Sequence, residues 1–463
     1  MRLKSWLLAQ NIMTLSIQLQ RATILHRGQN CILMMIDKIK HLPTFFLLHT
    51  LILVSLIFSL PVLAAAEMAE DTQARTLAEE LSFRGFGTLG IARSSSNQAD
   101  FVRDLSQPKG LSDGSWSARI DSILGGQINW QMTKELELVG QAVSRFRYNE
   151  SRSPEIMWAF ARWDMTPDIA VRAGRIGADF MMLADSRLVG YSYLTARPSS
   201  DFFGPLFFHH FDGADMSISK PVGEGVLRAK VFIGATHEKT ADIQSVWNTS
   251  GSQVGGVVLD YWQGPLQLRA NVAQIKFSND LDVSPLPDFL KAAGTFLNRP
   301  SAFSAAQSLA TKDTTSRFYS LGVVYEANGF QAQAMANCIR HEAGLLQNSC
   351  AGYALAGYRR GAITPYAGIS AWKSSRRNQT AGLPNIPPFA DLNAIYSSVM
   401  EATRSDQRTY TLGVRWDVKP NVAFKLQWDA IRGDSLSVFP VRDEQPGWNG
   451  RTNVISITSD FVF

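Results

Sequence analysis

The chain has 463 residues, 45% of them apolar and 18% charged, with a formal net charge of +5. That length holds two or three soluble domains or one large barrel. A mean hydropathy near zero excludes a bundle of membrane-spanning helices, and the one long apolar run, residues 45–60, is interrupted by His49. Lys38 and Lys40 precede that run, and Ala64, Ala65 and Ala66 follow it. Basic start, apolar middle and small-residue ending predict a secretory signal peptide cut after Ala66, in preference to a retained anchor. Met34 and Met35 offer a later start, which would make residues 1–33 a mis-called extension of the 1–66 export segment. Removing 1–66 takes six basic residues and one acid from totals of 45 and 40, leaving 39 of each. The positive balance therefore belongs to the export segment and gives no argument for nucleic-acid binding.

Residues 67–80 are polar and weakly helical, a short periplasmic lead-in. From residue 81 the helical period gives way to segments of roughly ten to twelve residues, the length a tilted strand needs to cross a bilayer. The predicted strands are 81–95, 116–132, 136–147, 154–164, 169–178, 211–220, 226–237 and 254–263, then 266–277, 317–327, 330–340, 350–360, 364–374, 407–418, 422–432 and 452–463. Apolar residues keep one parity. In the second strand Ile120, Leu124, Ile128 and Trp130 oppose Arg119, Asp121, Gln127 and Asn129. In the seventh, Leu227, Val231 and Ile233 oppose Arg228 and Lys230; in the fourteenth, Tyr410, Leu412, Val414 and Trp416 oppose Arg415 and Asp417. The last sets Ile455, Ile457, Phe461 and Phe463 against Ser456, Thr458 and Asp460.

Every second connection is short: 133–135, 165–168, 221–225, 264–265, 328–329, 361–363 and 419–421. Asn328-Gly329 is the strongest hairpin signal among them. The alternate connections are all longer, so long loops gather at one end. The prediction is all-β: a transmembrane antiparallel barrel of sixteen strands, with fourteen or eighteen as alternatives, over 81–463. Its short turns are periplasmic and its long loops extracellular. A wall of this size is too wide for side chains to fill, so the polar parity faces a wet lumen.

Phe83-Arg-Gly-Phe-Gly-Thr-Leu-Gly90, Val171-Arg-Ala-Gly-Arg175 and the Phe461-Val-Phe463 ending, on this layout, resemble the Gram-negative outer-membrane porin superfamily. Phe461 and Phe463 are then the aromatic ending of the strand that closes the barrel. The resemblance implies a homotrimer with one pore per subunit in the outer membrane. It also implies contact with lipids and lipopolysaccharide, and delivery to the barrel-assembly machinery through the C-terminal strand.

In porins a long loop after the fifth strand folds into the bore. Here that loop is 179–210, with Asp179, Asp185, Arg187, Arg197 and Asp201 as candidate constriction residues and six aromatics to pack on the wall. Charges in a narrow low-dielectric throat act strongly on passing ions. Arg119, Arg145, Arg147, Arg172, Arg228, Lys230, Arg269 and Arg415 are the basic lumen wall, with Arg175 placed at the rim. Counted for selectivity, nine wall bases (Arg84, Arg119, Arg145, Arg147, Arg228, Lys230, Arg269, Arg415 and Lys425) face eight acids (Asp121, Glu137, Asp215, Asp260, Glu326, Asp417, Asp429 and Asp460), a near balance that leans weakly toward anions near the loop. Cys338 and Cys350 flank 341–349 on adjacent strands and are predicted to form a disulfide, stabilising by roughly 3 kcal/mol in the chain-entropy model. Gly85-Phe-Gly-Thr-Leu-Gly90 matches a dinucleotide-binding pattern, but no helix follows it. His209-His210 with Asp212 lacks a third ligand at recognisable spacing and reads as rim histidines. No metal, cofactor or catalytic residue is therefore predicted.

The expected function is passive diffusion of small hydrophilic solutes and ions through a water-filled channel narrowed by 179–210. The alternative is a substrate-selective channel for a sugar, phosphate or small organic acid. A hydrolase or adhesin is a more distant third reading, since an enzyme would need a Ser–His pair at the rim.

Overall fold

A computed structural model of the protein describes residues 80–463, apart from 113, 242–245, 376–378, 435–440 and 443–447. The export segment, and all of the lead-in but Glu80, lie outside the described residues. Sixteen strands close into one antiparallel barrel. They are β1 (Leu81–Ser94), β2 (Ile123–Gln131), β3 (Leu136–Arg145), β4 (Glu155–Thr166), β5 (Ile169–Gly177), β6 (His210–Val222), β7 (Gly225–Thr236) and β8 (Ser252–Gln263). The wall continues through β9 (Leu266–Lys276), β10 (Thr315–Ala327), β11 (Phe330–His341), β12 (Ser349–Tyr358), β13 (Ile363–Ser374), β14 (Asp406–Lys419), β15 (Val422–Gly433) and β16 (Arg451–Val462). Tight turns such as 264–265 and 328–329 alternate with long connections such as 95–122, 178–209, 277–314 and 375–405. Asn328 and Gly329 both have positive φ, 52° and 81°, the conformation a two-residue primed turn demands. Helices Leu286–Leu297, Pro300–Ser308 and Phe389–Glu401 occupy two of the long connections. Among the described residues no helix is long and apolar enough to cross a membrane.

The period-two pattern becomes an apolar skin. Leu89, Ile91, Leu124, Ile128, Ile233, Leu321, Leu412, Leu426, Ile455 and Ile457 are all exposed on the outer face, while Thr88, Ser456, Thr458 and Asp460 turn inward and are buried. Trp130, Trp163 and Trp416 are exposed outside, whereas Trp372 points inward and is buried. A closed wall with this skin satisfies its backbone internally and meets lipid with hydrocarbon.

Closure joins β1 to β16 in register from Phe86 opposite Val462 to Ser94 opposite Val454. Gly85 exchanges backbone hydrogen bonds with Phe463, at 2.7 and 2.9 Å. A Cβ on Gly85 would overlap the Phe463 ring, and one on Gly87 the Phe461 ring. The glycines that mimic a nucleotide-binding pattern thus make room for the C-terminal aromatics to lie across β1. Cys338 and Cys350 are directly opposed on β11 and β12 and are joined by a disulfide.

The inner face departs from expectation most widely in one sector. Phe232, Val254, Val258, Ala273, Ile275, Phe318 and Met335 of β7 to β11 form a buried apolar surface on the parity expected to be wet. Also, β2 begins only at Ile123, so Arg119 and Ile120 belong to the connection 95–122. Ile120 is buried with the inward-facing Ala92, Ile431 and Val454 rather than exposed to lipid.

Overpacking the seam should be costly. Gly87→Val is expected to destabilise the folded barrel by about 1–3 kcal/mol, read as a lower denaturation midpoint in detergent. Gly126→Val should leave that midpoint unchanged, because nothing lies within 4 Å of a Cβ there.

Candidate functional site: two connections inside the bore

The connection 178–209 leaves the end of β5 and turns into the barrel. Its first anchor is Asp179, which accepts from Lys230 Nζ and Arg269 Nη1, both at 2.6 Å. Burial alone would raise the Asp179 pKa, but those two cations outweigh it and hold the carboxyl well below the usual carboxylate range. Phe180 then packs on Phe208, Phe232 and Phe318, with ring centroids 5.4, 5.9 and 5.7 Å apart. The apolar inner sector is therefore the seat of this loop, where aromatic burial supplies the main stabilisation.

The middle of the connection runs the depth of the bore. Tyr191 donates to Pro420 O at 2.7 Å, in the tight turn at the far end of the barrel. Arg415 donates to the carbonyls of Tyr191 and Tyr193, both at 2.8 Å. Lys425, fully buried, donates to Gly190 O at 2.7 Å and Thr195 O at 2.9 Å and pairs with Asp460 at 3.0 Å. Wall cations here satisfy loop carbonyls that would otherwise be buried without partners.

Arg197 sits at the centre of a buried network. It makes a two-toothed contact with Asp121 at 2.9 and 2.7 Å, pairs with Asp429 at 2.9 Å and also reaches Ser456 Oγ. Asp201 accepts from Ser370 at 2.6 Å and Gln407 at 2.5 Å, and burial raises its pKa against those hydrogen bonds. The sequence reading expects both in the constriction, but both are almost fully buried and face no open throat. Arg187 is also buried and donates to Phe208 O at 3.1 Å. Burial pushes its pKa down to about 10. Of the five loop charges, Asp185 alone is exposed. Its surroundings of protein, and then the Asp179 carboxylate, raise its pKa.

A second connection, 95–122, also enters the bore. Phe101, Leu111 and Ile120 pack on Ala92, Ile431 and Val454, while Val102 packs on Ala351 and Trp372 of β12 and β13. It joins the first connection through Arg103 Nη2 to Arg187 O at 2.8 Å and Leu105 N to Gly204 O at 3.2 Å. Arg145 reaches it from the wall, donating to Ser106 at 2.6 Å. Nothing in the period-two pattern marks this inward turn. Arg119 belongs to it, donating to Gly110 O at 3.2 Å and lying over the Phe146 ring, and so is not a wall residue.

The remaining wall bases divide into anchors and open groups. Arg145, Lys230, Arg269 and Arg415 face inward but are buried. Arg147 lies just past the end of β3, 3.3 Å from Glu155. Arg172 and Arg228 stay partly open, with side-chain exposures of 26% and 30%, while their partners Asp215 and Asp260 are covered at 3% and 0%. Arg172 lies over the Phe160 ring and Arg228 over Trp262, at 5.3 and 4.9 Å. Arg175 faces outward near the rim, paired with Asp212 at 2.7 Å.

No protein-family model and no curated protein matches the sequence. Solved structures do match in fold. One is OmpF of Salmonella typhi, in a complex with daunomycin, at a TM-score of 0.50 and 12% identity, covering 83% of this chain and 97% of that one. Another is OprB of Pseudomonas putida at high pH, with a TM-score of 0.50 and 10% identity, covering 85% of this chain and 96% of that one. The chain is a transmembrane β-barrel. Its fold is the sixteen-stranded porin barrel, a fold of the Gram-negative outer membrane.

Arg197→Met would leave Asp121 and Asp429 buried without their cation. It is expected to cost about 3–5 kcal/mol and to loosen 178–209, measured as faster proteolysis within that segment. Asp185 should behave differently from Asp201. Because the Asp185 pKa is raised, its negative charge is present only above that raised value and is lost early as pH falls. Reversal potentials in a salt gradient are expected to move toward anion preference as the pH is lowered. Asp185→Asn should show that preference already at neutral pH and lose the pH dependence, while Asp201→Asn should leave the ratio unchanged.

Proposed function

We propose that the protein is an outer-membrane channel for passive diffusion of small hydrophilic solutes and ions, narrowed by the inward connection 178–209 together with 95–122. The observation that carries this reading is the partition of the wall: a continuous apolar skin outside, and inside a set of charges that anchor loops in the bore. In this reading the tight turns are periplasmic and the long connections extracellular. Residues 1–66 direct export, and the C-terminal strand presents Phe461 and Phe463 to the assembly machinery. Three such chains, each with its own pore, form a trimer among outer-membrane lipids and lipopolysaccharide.

Arg172 and Arg228 give the open wall a positive lean, opposed by Asp185, so the channel favours anions modestly. Their seating on Phe160 and Trp262 supports a narrower second reading, a channel that prefers anionic solutes carrying a flat or ring-shaped apolar part. Planar-bilayer recording separates the two. A general pore is expected to give conductance that rises in proportion to salt, with no block by organic anions. Conductance of small ions that falls saturably when an aromatic carboxylate is added would replace it with the selective channel. Absence of any current would remove both.

A further inference from the structure

Where the connection 178–209 rejoins the wall, four side chains from three places in the sequence meet. His209 precedes β6 and His210 begins it, Glu238 follows β7, and Glu155 begins β4. One ligand atom each from Glu155, His210 and Glu238 lies within 4.8 Å of the others. The His210 side chain is 3% exposed, and its Nδ1, 3.7 Å from Glu238 Oε1, has no hydrogen-bond partner. A buried ring nitrogen without a partner is costly unless something occupies it. Glu238 is held in place from below, accepting from the backbone N–H of His209 at 2.5 Å and of His210 at 2.8 Å. His209 Nδ1 stands 3.2 Å from the other Glu238 oxygen.

We propose that Glu155, His210 and Glu238 bind a borderline divalent ion such as Zn²⁺ at the root of the inward connection. Bonds of about 2.0–2.2 Å set tetrahedral ligand atoms roughly 3.3–3.5 Å apart, so the three groups need to close by up to about 1.5 Å. The surrounding charge argues for this class of ion. Arg145 and Arg147 lie 3.6 and 3.3 Å from Glu155, so a hard cation held by charge alone gains little. An imidazole nitrogen with two carboxylates suits zinc rather than calcium or magnesium, which take oxygen ligands. Asp212 contributes nothing, being turned outward to Arg175 and His237. The ligands lie 55 and 28 residues from His210 in the chain, a spacing no metal motif displays.

The test is titration of Zn²⁺ by calorimetry, and of Co²⁺ by visible absorption, into the full barrel in detergent after treatment with a chelator. Wild type is expected to take up about one ion per chain saturably. Glu155→Gln and His210→Ala should each lose that uptake or weaken it by about tenfold or more, while His237→Ala should bind as wild type does. Each variant is first shown to be folded by its strand circular dichroism; if His210→Ala is not, Glu155→Gln decides. No saturable uptake by wild type overturns the proposal. So does uptake that survives the folded ligand variants, or that is lost in His237→Ala.

Discussion

In hydrocarbon no backbone N–H or C=O can go unpaired, so this molecule depends on joining its first strand to its last. That seam is made from the least bulky and the most bulky side chains. Gly85 and Gly87 remove all volume from one side, and Phe463 and Phe461 lie across the space. Their rings, 6.4 Å apart and nearly parallel, continue the apolar skin over a stretch where β1 has no side chain to offer. Midway along the same seam the inner face is polar, with Thr88 donating to Asp460 at 2.5 Å. One register thus fixes both the lipid-facing and the bore-facing sides.

Sixteen strands with one polar lining leave a bore that its own wall residues do not fill. The chain fills part of it with two connections, which brings ordinary core packing into a transmembrane barrel. The apolar sector of β7 to β11 receives the aromatics of 178–209, and a smaller patch on β1, β15 and β16 receives Phe101, Leu111 and Ile120. The disposition of the two connections is shared, since Arg103 and Arg187 link them.

The wall was legible in sequence because each strand separates lipid from interior, and that boundary imposes a period of two. All sixteen strands, their order and the inward parity of Arg172, Arg228, Lys230, Arg269 and Arg415 follow from it. The bore was less legible because its occupants are set by tertiary contact. Parity cannot say whether Arg119 lies on a strand or in a connection, nor that Asp201 will find Ser370 and Gln407. One signal was present: Val254 to Leu259 is apolar on both parities, the mark of a strand covered on both faces. Its inner cover is the loop.

Anchoring a loop with buried charge has a specific physical consequence. Apolar packing alone lets a segment slide at little cost, whereas a cation shared between named carbonyls fixes one register. Lys425 holds Gly190 and Thr195 together, and Arg415 holds Tyr191 and Tyr193. Such pairs add little net stability, since desolvation offsets their attraction, but breaking one leaves an uncompensated charge. Most ionisable residues of the bore are committed in this way and are hidden from a passing ion. The field in the passage is therefore set by the groups that stay open, among them the faces of Arg172 and Arg228, whose carboxylates lie behind them, and Asp185 opposite in sign. Counting charges by parity weighs anchors and open groups alike, which is why a nearly balanced lining and a polarised passage can belong to the same wall.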